Sequence, residues 1–418
     1  MKIITSFLRI TSRLMIPLTI PTVILALVCF FIPVPLLSAE AVAAPQGTKK
    51  LDYRFDGDIS RSVLENYLAR SATVASLLHY TLDDDLRMMR NTGVKFAGRV
   101  IWMWGNESRI DALVRKGEPF VKRIHLMDPD IILQGAIFEI VTRDVDNVAI
   151  PASVFKEFGL MPEARNFRYK DMLYSFRRRV DHWGEGASVP DMSRLETRMW
   201  FFYLGKRWID MGLEAIHFGQ VEIMDDRDRD HAHWREMIKR IRKYAGKYAR
   251  RHFVLADAHT PSGGIVHKGE LMFDFHSFPS RPKSVKGKPH QAVLEKGFSD
   301  SIYGRSKGGR TPSGWSCNAL PYIVELDNFG SSDHAGEYRA TDKIHVWGWD
   351  EIGWFTKQSE KYRNEWLGYA YNWVRKTDPN GYFQLPLRRF QHYTASMKSS
   401  KGQRQEESIK AIWASIEQ

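Results

Sequence analysis

A closed barrel of eight parallel strands, each followed by a helix, is the fold class this 418-residue sequence predicts. Three observations predict it. Eight apolar runs recur along the chain, helical periodicity lies between most of them, and the loops are strongly asymmetric in length. Turns leading from a helix into a strand are tight and carry breakers, as in "NTG" at 91, "DPD" at 128, "DMG" at 210 and "DPNG" at 378. Loops leaving strands are long, above all Thr142 to Pro190 and Ser277 to Leu320. Loops of that length in a compact domain are usually functional, and in a barrel they gather at the C-terminal ends of the strands.

The elements follow in order. Strands are expected at "LDYRF" (51 to 55, the weakest), "FAGRVIWMW" (96 to 104), "IILQGAIFEIV" (131 to 141), "EAIHFGQVEI" (214 to 223), "HFVLAD" (252 to 257), "LMFDFH" (271 to 276), "PYIVELD" (321 to 327) and "YFQLPL" (382 to 387). Helices are expected at Ser60 to His79, Asp83 to Asn91, Glu107 to Met127, Asp191 to Met211, Arg229 to Arg251 and Asp350 to Thr377. Between strands five and six "TPSGGIVHKGE" is too short and glycine-rich for a full helix, so one helix is expected to be missing. A doubly wound open sheet is the alternative.

The first 44 residues read as an export signal. Lys2, Arg9 and Arg13 form a positive start, Leu14 to Leu37 is almost wholly apolar, and Ala39-Glu40-Ala41 and Ala41-Val42-Ala43 offer small-residue cleavage sites. Residues 45 to 418 are then one barrel domain, periplasmic, cell-surface or secreted. Pro17, Pro21, Pro33 and Pro35 argue against a retained membrane anchor. The formal charge of +12 stays strongly positive after cleavage. Export argues against nucleic acid as the partner of that charge and in favour of an acidic polymer. Cleavage would leave Cys317 as the single cysteine, so the core must hold the fold without an internal disulfide.

Side chains alternate along a strand, which places Phe218, Gln220 and Glu222 on one face of strand four and Ile323, Glu325 and Asp327 on one face of strand seven. Ionisable residues also end strand three (Glu139), strand five (Asp257, His259) and strand six (Asp274, His276). Five such ends around one mouth are expected where a site needs them, because clustered acids cost stability. Trp102 and Trp104 end strand two, Trp183 and Trp315 lie in the long loops, and Trp347, Trp349 and Trp354 follow strand seven. Indoles around a carboxylate-lined mouth suit the C–H faces of sugar rings. Most of "DDRDRDHAH" at 225 to 233 reads as a charged helix start. The loop from Arg281 to Arg310 carries eight Lys/Arg against Glu295 and Asp300, and its expected place beside the mouth suggests an anionic substrate.

Paired carboxylates at strand ends are what glycosidic-bond cleavage requires, one to protonate the leaving oxygen and one to attack or to activate water. The strand order from about Leu51 to Leu387 resembles, at superfamily level, the retaining (β/α)8 glycoside hydrolases with catalytic glutamates on strands four and seven. That resemblance implies Glu222 as acid/base and Glu325 as nucleophile. The remaining strand-end acids and histidines, Gln220 and the tryptophans at 102, 104, 347 and 349 then fall to substrate binding. Two alternatives stand beside it. Asp257, His259, Asp274 and His276 form two Asp-x-His pairs that would suit a metal-dependent hydrolase, a deacetylase or phosphodiesterase. Val221, where the family usually has Asn, suits a non-catalytic saccharide-binding barrel. No motif calls for a cofactor or a resident metal.

Overall fold

The computed structural model describes residues 51–75, 82–226, 228, 230–327, 351–390 and 392–415. The signal segment and Trp347 and Trp349 lie outside them. Eight parallel strands form the barrel: β1 (Ser71–Ala75), β2 (Phe96–Ile101), β3 (Ile132–Ala136), β4 (Ala215–His217), β5 (Leu255–Asp257), β6 (His276–Pro279), β7 (Tyr322–Glu325) and β8 (Gly381–Arg389). Sequence neighbours pair all the way from β1 to β5 and from β6 to β8, and β8 returns to β1. A parallel bridge from His259 to Ser277 closes the β5–β6 seam, with Asp274 N–H donating to Ala256 O at 2.9 Å. The closed barrel is therefore the observed fold and the open sheet is not.

The first strand is not where the sequence places it. "LDYRF" is irregular, and the expected helix 60–79 divides into a helix Arg61–Ala69 and β1. The helix starts on Ser60, whose hydroxyl accepts from Val63 N–H, and buries Val63, Leu64, Tyr67 and Leu68. From Ser71 every residue of "SATVA" is buried. The period thus changes from helical to fully buried strand without a glycine or proline to announce it. Tyr53 and the helix pack into a cluster with Phe96, Ile132, Ala215, Leu255, Phe275, Ile323 and Tyr382, each within one residue of the start of its strand. This helix plugs the N-terminal end of the barrel.

Helices Leu82–Thr92, Ile110–Met127, Leu195–Asp210, Ala232–Tyr248 and Glu360–Thr377 follow β1, β2, β3, β4 and β7, with a short helix Glu351–Thr356 before the last. The expected gap after β5 is present, and a second follows β6. In their place lie a hairpin (Lys283–Val285 with Lys288–Val293) and a small four-stranded sheet. No helix among the described residues is long and apolar enough to cross a membrane.

Two residues above the apolar plug, each strand turns a different side chain inward: Thr73, Gly98, Gln134, His217, Asp257, Ser277, Glu325 and Gln384, in strand order. Seven are polar and buried. Gly98 is the exception because a Cβ there would stand 2.3 Å from Gln384 Nε2 and 3.3 Å from Gln134 Oε1, so its bareness makes room for two glutamines. The barrel interior thus changes from an apolar layer to a polar one in a single step of the pleat.

Candidate active site

The polar layer is a hydrogen-bonded platform. Gln134 Nε2 donates to Asp257 Oδ1 at 2.6 Å, and Asp257 Oδ2 lies 2.8 Å from His217 Nδ1. Thr73 Oγ1 donates to Glu325 Oε2 at 2.9 Å. Above it sits Arg99, the residue after Gly98, in a left-handed conformation (φ 58°) that non-glycine residues adopt at a cost. Its guanidinium pairs with Glu325 and reaches Asp327 Oδ1 at 3.3 Å, His259 Nε2 at 2.7 Å and His217 Nε2 at 3.4 Å. Arginine can only donate, so both Nε2 atoms must accept and both rings are neutral, each with its proton on Nδ1. Burial holds both imidazoles below their ordinary value, which agrees.

Arg389, at the end of β8, approaches from the other side, 3.3 Å from Asp327 Oδ1 and 3.7 Å from Glu325 Oε2. Burial alone would raise the Glu325 and Asp327 carboxyls. The charge of Arg99, with that of Arg389, outweighs it and holds both below the usual carboxylate range. Both are therefore anions at neutral pH.

Over this platform opens a pocket of about 270 Å³ at the C-terminal mouth, lined by Arg99, Trp102, Trp104, Phe138, Glu139, Trp183, His259, Asp327, Arg389 and Phe390. The aromatic rings form one edge-to-face wall: Trp102 meets Phe138 at 5.1 Å and Phe390 at 4.9 Å, and Trp104 meets Trp183 at 5.1 Å. Trp104 is 40% exposed and open to a ligand. Trp102 Nε1 is buried and meets no acceptor among the described residues. A buried donor in a pocket wall is satisfied when a ligand oxygen arrives.

Glu139 is fixed by Gln220, whose backbone N–H and side-chain amide donate to its two oxygens at 2.9 and 2.8 Å. The approach depends on Gly219 (φ 56°), where a Cβ would stand 2.0 Å from Glu139 Oε2. Trp183 Nε1 donates to the Glu139 carbonyl at 2.8 Å and ties the long loop after β3 to the mouth.

Several expectations need correction. Strand four ends at His217, so the alternation that carries Glu222 to the inner face stops five residues short of it. Glu222 lies in a 3₁₀ turn, Val221–Ile223, accepts from Ser262 N–H at 3.2 Å and does not line the pocket. On strand seven the alternation holds: Ile323 is in the interior plug and Glu325 stands above it, but under Asp327 and enclosed by Arg99, Arg389 and Thr73. Strand six begins where the sequence reading ends it. Asp274 and His276 lie at its start, Asp274 bonded to Arg242 (2.9 Å) and Ala256 N–H (2.8 Å), His276 Nδ1 to Ser306 Oγ (3.0 Å). The two Asp-x-His pairs therefore do not converge. Among the described residues no group of three or more His, Cys, Asp or Glu is placed to hold a metal ion.

No residue of the basic loop 281–310 lines the pocket. Arg281 is buried against Asp300, and Lys283 pairs with Glu295, both at 2.7 Å. The acidic stretch after β4 is a helix start, as its charge pattern suggests: Asp228 accepts from Ala232 and His233 N–H, each at 2.6 Å. Trp315 packs at the closed end, donating to Ile59 O, and Trp354 is core.

Sequence reading at the strand ends overlooked Arg99, Gln134, His217 and Arg389. For three of them the signal was there, one polar residue inside an apolar run, as in "FAGRVI", "IILQGAI" and "AIHF"; Arg389 follows the run "YFQLPL" and carries no such signal.

No family model matches the chain, and no curated protein matches it by sequence. Some solved structures are similar to it at a low level. A variant of a family-27 β-L-arabinopyranosidase from Geobacillus stearothermophilus, in complex with arabinose, is 9% identical, with 83% of this chain and 76% of that one covered and a TM-score of 0.38. An isomalto-dextranase from Arthrobacter globiformis, complexed with panose, is 10% identical over 64% of this chain and 50% of its own, at 0.39. An α-galactosidase from Thermus thermophilus is 14% identical over 49% and 39%, at 0.30, so this chain spans about two fifths of its length. At that level of similarity only the residues of this chain speak to its chemistry.

Proposed function

We propose that the protein is an exported saccharide-cleaving enzyme of the glycoside hydrolase type, acting at the barrel mouth. The observation that carries this reading is one pocket in which an open tryptophan wall and two carboxylates, Glu139 and Asp327, face the same space.

Asp327, kept ionised by Arg99 and Arg389, takes the role of nucleophile or general base. Glu139 takes the role of proton donor. Its partner Gln220 suits either protonation state, because an amide turned through 180° would accept the proton of a neutral carboxyl. Glu325 supports from beneath as part of the charge balance, and Glu222 lies outside the chemistry. His259, neutral and accepting from Arg99, fixes the guanidinium that in turn fixes Asp327.

The test is a screen of polysaccharides and oligosaccharides, neutral and acidic, for reducing ends released by the chain. Trp104→Ala should weaken substrate binding by at least roughly fivefold, as the loss of one stacking contact of about 1 kcal/mol or more implies. Binding of every glycan without release of reducing ends would favour the non-catalytic barrel. Export is tested by N-terminal sequencing of protein recovered outside the cytoplasm, which should begin near Ala41 to Gln46.

A further inference from the structure

Outside the barrel lies a second and larger groove of about 570 Å³. It occupies the flank where the helix after β5 is missing. One wall is the helix Ala232–Tyr248, the other the small sheet built from Val266–His267, Glu270–Leu271, Gly309–Arg310 and Ser316–Cys317. Its floor is aliphatic, with Ile238, Ile265, Leu271 and Met272. Its rim is cationic.

Arg235, Lys239 and Arg242 stand on one face of the helix at spacings of four and three. Arg310 and His267 face them from the sheet, and Glu270 is the one acid of the lining. Arg242 is neutralised by Asp274 at 2.9 Å. Arg235, Lys239 and Arg310 form no ion pair among the described residues, and Arg235 Nε is buried with no hydrogen-bond acceptor. Like charges at i,i+4 on a helix destabilise it, so the Arg235–Lys239 pair is a cost that folding does not offset locally. A ligand that brings negative charge would offset it.

We infer that this groove is an accessory binding site for an acidic polysaccharide strand carrying carboxylate or sulfate groups. Three separate uncompensated cations around an elongated groove suit charges spread along a chain rather than one small ion. A peptide fits less well. Of the strands in the groove wall, Glu270–Leu271 and Gly309–Arg310 are each paired on both sides, and the edge strand that also lines it, Val266–His267, is only two residues long and offers an extended backbone little to pair with. The inference rests on the saccharide reading of the mouth and adds a substrate class to it: the polymer is held by its charges here and by its ring faces at the tryptophan wall.

The experiment is calorimetric titration of the intact chain at low salt with a sulfated oligosaccharide and an oligouronate, against the double variant Lys239→Glu/Arg310→Glu. Both residues are exposed and unpaired, so circular dichroism should show an unchanged fold. Affinity should fall at least about tenfold and lose much of its salt dependence, and Lys239→Gln/Arg310→Gln should fall between. Trp104→Ala should leave this binding in place. Unchanged affinity in the charge-reversed variant would overturn the inference, as would equal binding of oligoglutamate or binding of inorganic sulfate alone. Trp104→Ala with intact binding of every neutral glycan would instead count against the mouth and leave the groove standing.

Discussion

Arg99→Met removes the guanidinium on which the mouth is organised while keeping an unbranched side chain of similar length. Arg99 is 4% exposed, and Glu325 and Asp327 are 1% and 3% exposed, so solvent screens this cluster little. Removing one partner of a buried ion pair costs about 3 to 5 kcal/mol, because a charge is left buried without compensation. Arg389 remains within 3.3 Å of Asp327 and 3.7 Å of Glu325, which places the expected loss at the lower end, about 3 kcal/mol at pH 7. Both carboxyls lie below their ordinary pKa in the folded protein, so their stabilising contribution is present above about pH 4 and is lost only as pH falls through the folded values. In the variant their folded pKa values rise, the carboxyls take up protons on acidification, and the gap to the wild type should shrink between pH 7 and 4.5. Arg99→Gly relieves the left-handed backbone at φ 58° and should recover about 1 kcal/mol relative to Met. Urea unfolding followed by far-ultraviolet circular dichroism at the two pH values measures all three quantities. A loss below about 1 kcal/mol at pH 7, or one that does not change with pH, would refute the view that Arg99 holds two buried anions.

His276 is fully buried, and burial with Lys307 nearby lowers it to about 3. The unfolded chain takes up a proton near pH 6.5 that the folded one refuses, so this residue alone should remove about 2 kcal/mol of stability between pH 8 and 5. His276→Gln should flatten the stability–pH curve by that amount, and an unchanged slope would contradict it. Gly98→Ala forces a Cβ to 2.3 Å from Gln384 Nε2 and should destabilise by about 1 to 3 kcal/mol, read as a lowered urea midpoint; a midpoint equal to that of wild type would show the polar layer is looser than its contacts imply.

The barrel was legible because its signal is repeated. Seven of the eight apolar runs overlap or adjoin a barrel strand, and tight turns mark the entries. β1 was not legible: the apolar residues of Arg61–Ala69 pass into "SATVA" with no breaker, and burial of all five strand residues erases the alternation that distinguishes strand from helix. Strand ends were legible only to within several residues, and this decided the candidate site. Alternation read past His217 carried Glu222 to a face that the chain has already left, whereas Glu325 lies inside its strand and was placed on its proper face. Asp327, two residues beyond β7, keeps the parity that alternation gives it, whereas Glu139, three beyond β3, reaches the pocket through loop geometry that no period encodes. The tryptophans at 102 and 104 were placed at the mouth by their position after β2, while Trp183 required the fold of the long loop to bring it there.

The most direct test of the account is turnover by three single variants on whichever glycan the wild type cleaves. Asp327→Asn and Glu139→Gln keep the shape of the mouth and remove the nucleophilic or proton-transfer function, so each should lower kcat by at least about 100-fold. Glu222→Gln, in the turn beyond β4, should stay within about threefold of wild type, since it touches nothing in the pocket. Near-normal turnover by the first two together with loss in Glu222→Gln would contradict the assignment and return the chemistry to the strand-four and strand-seven glutamates.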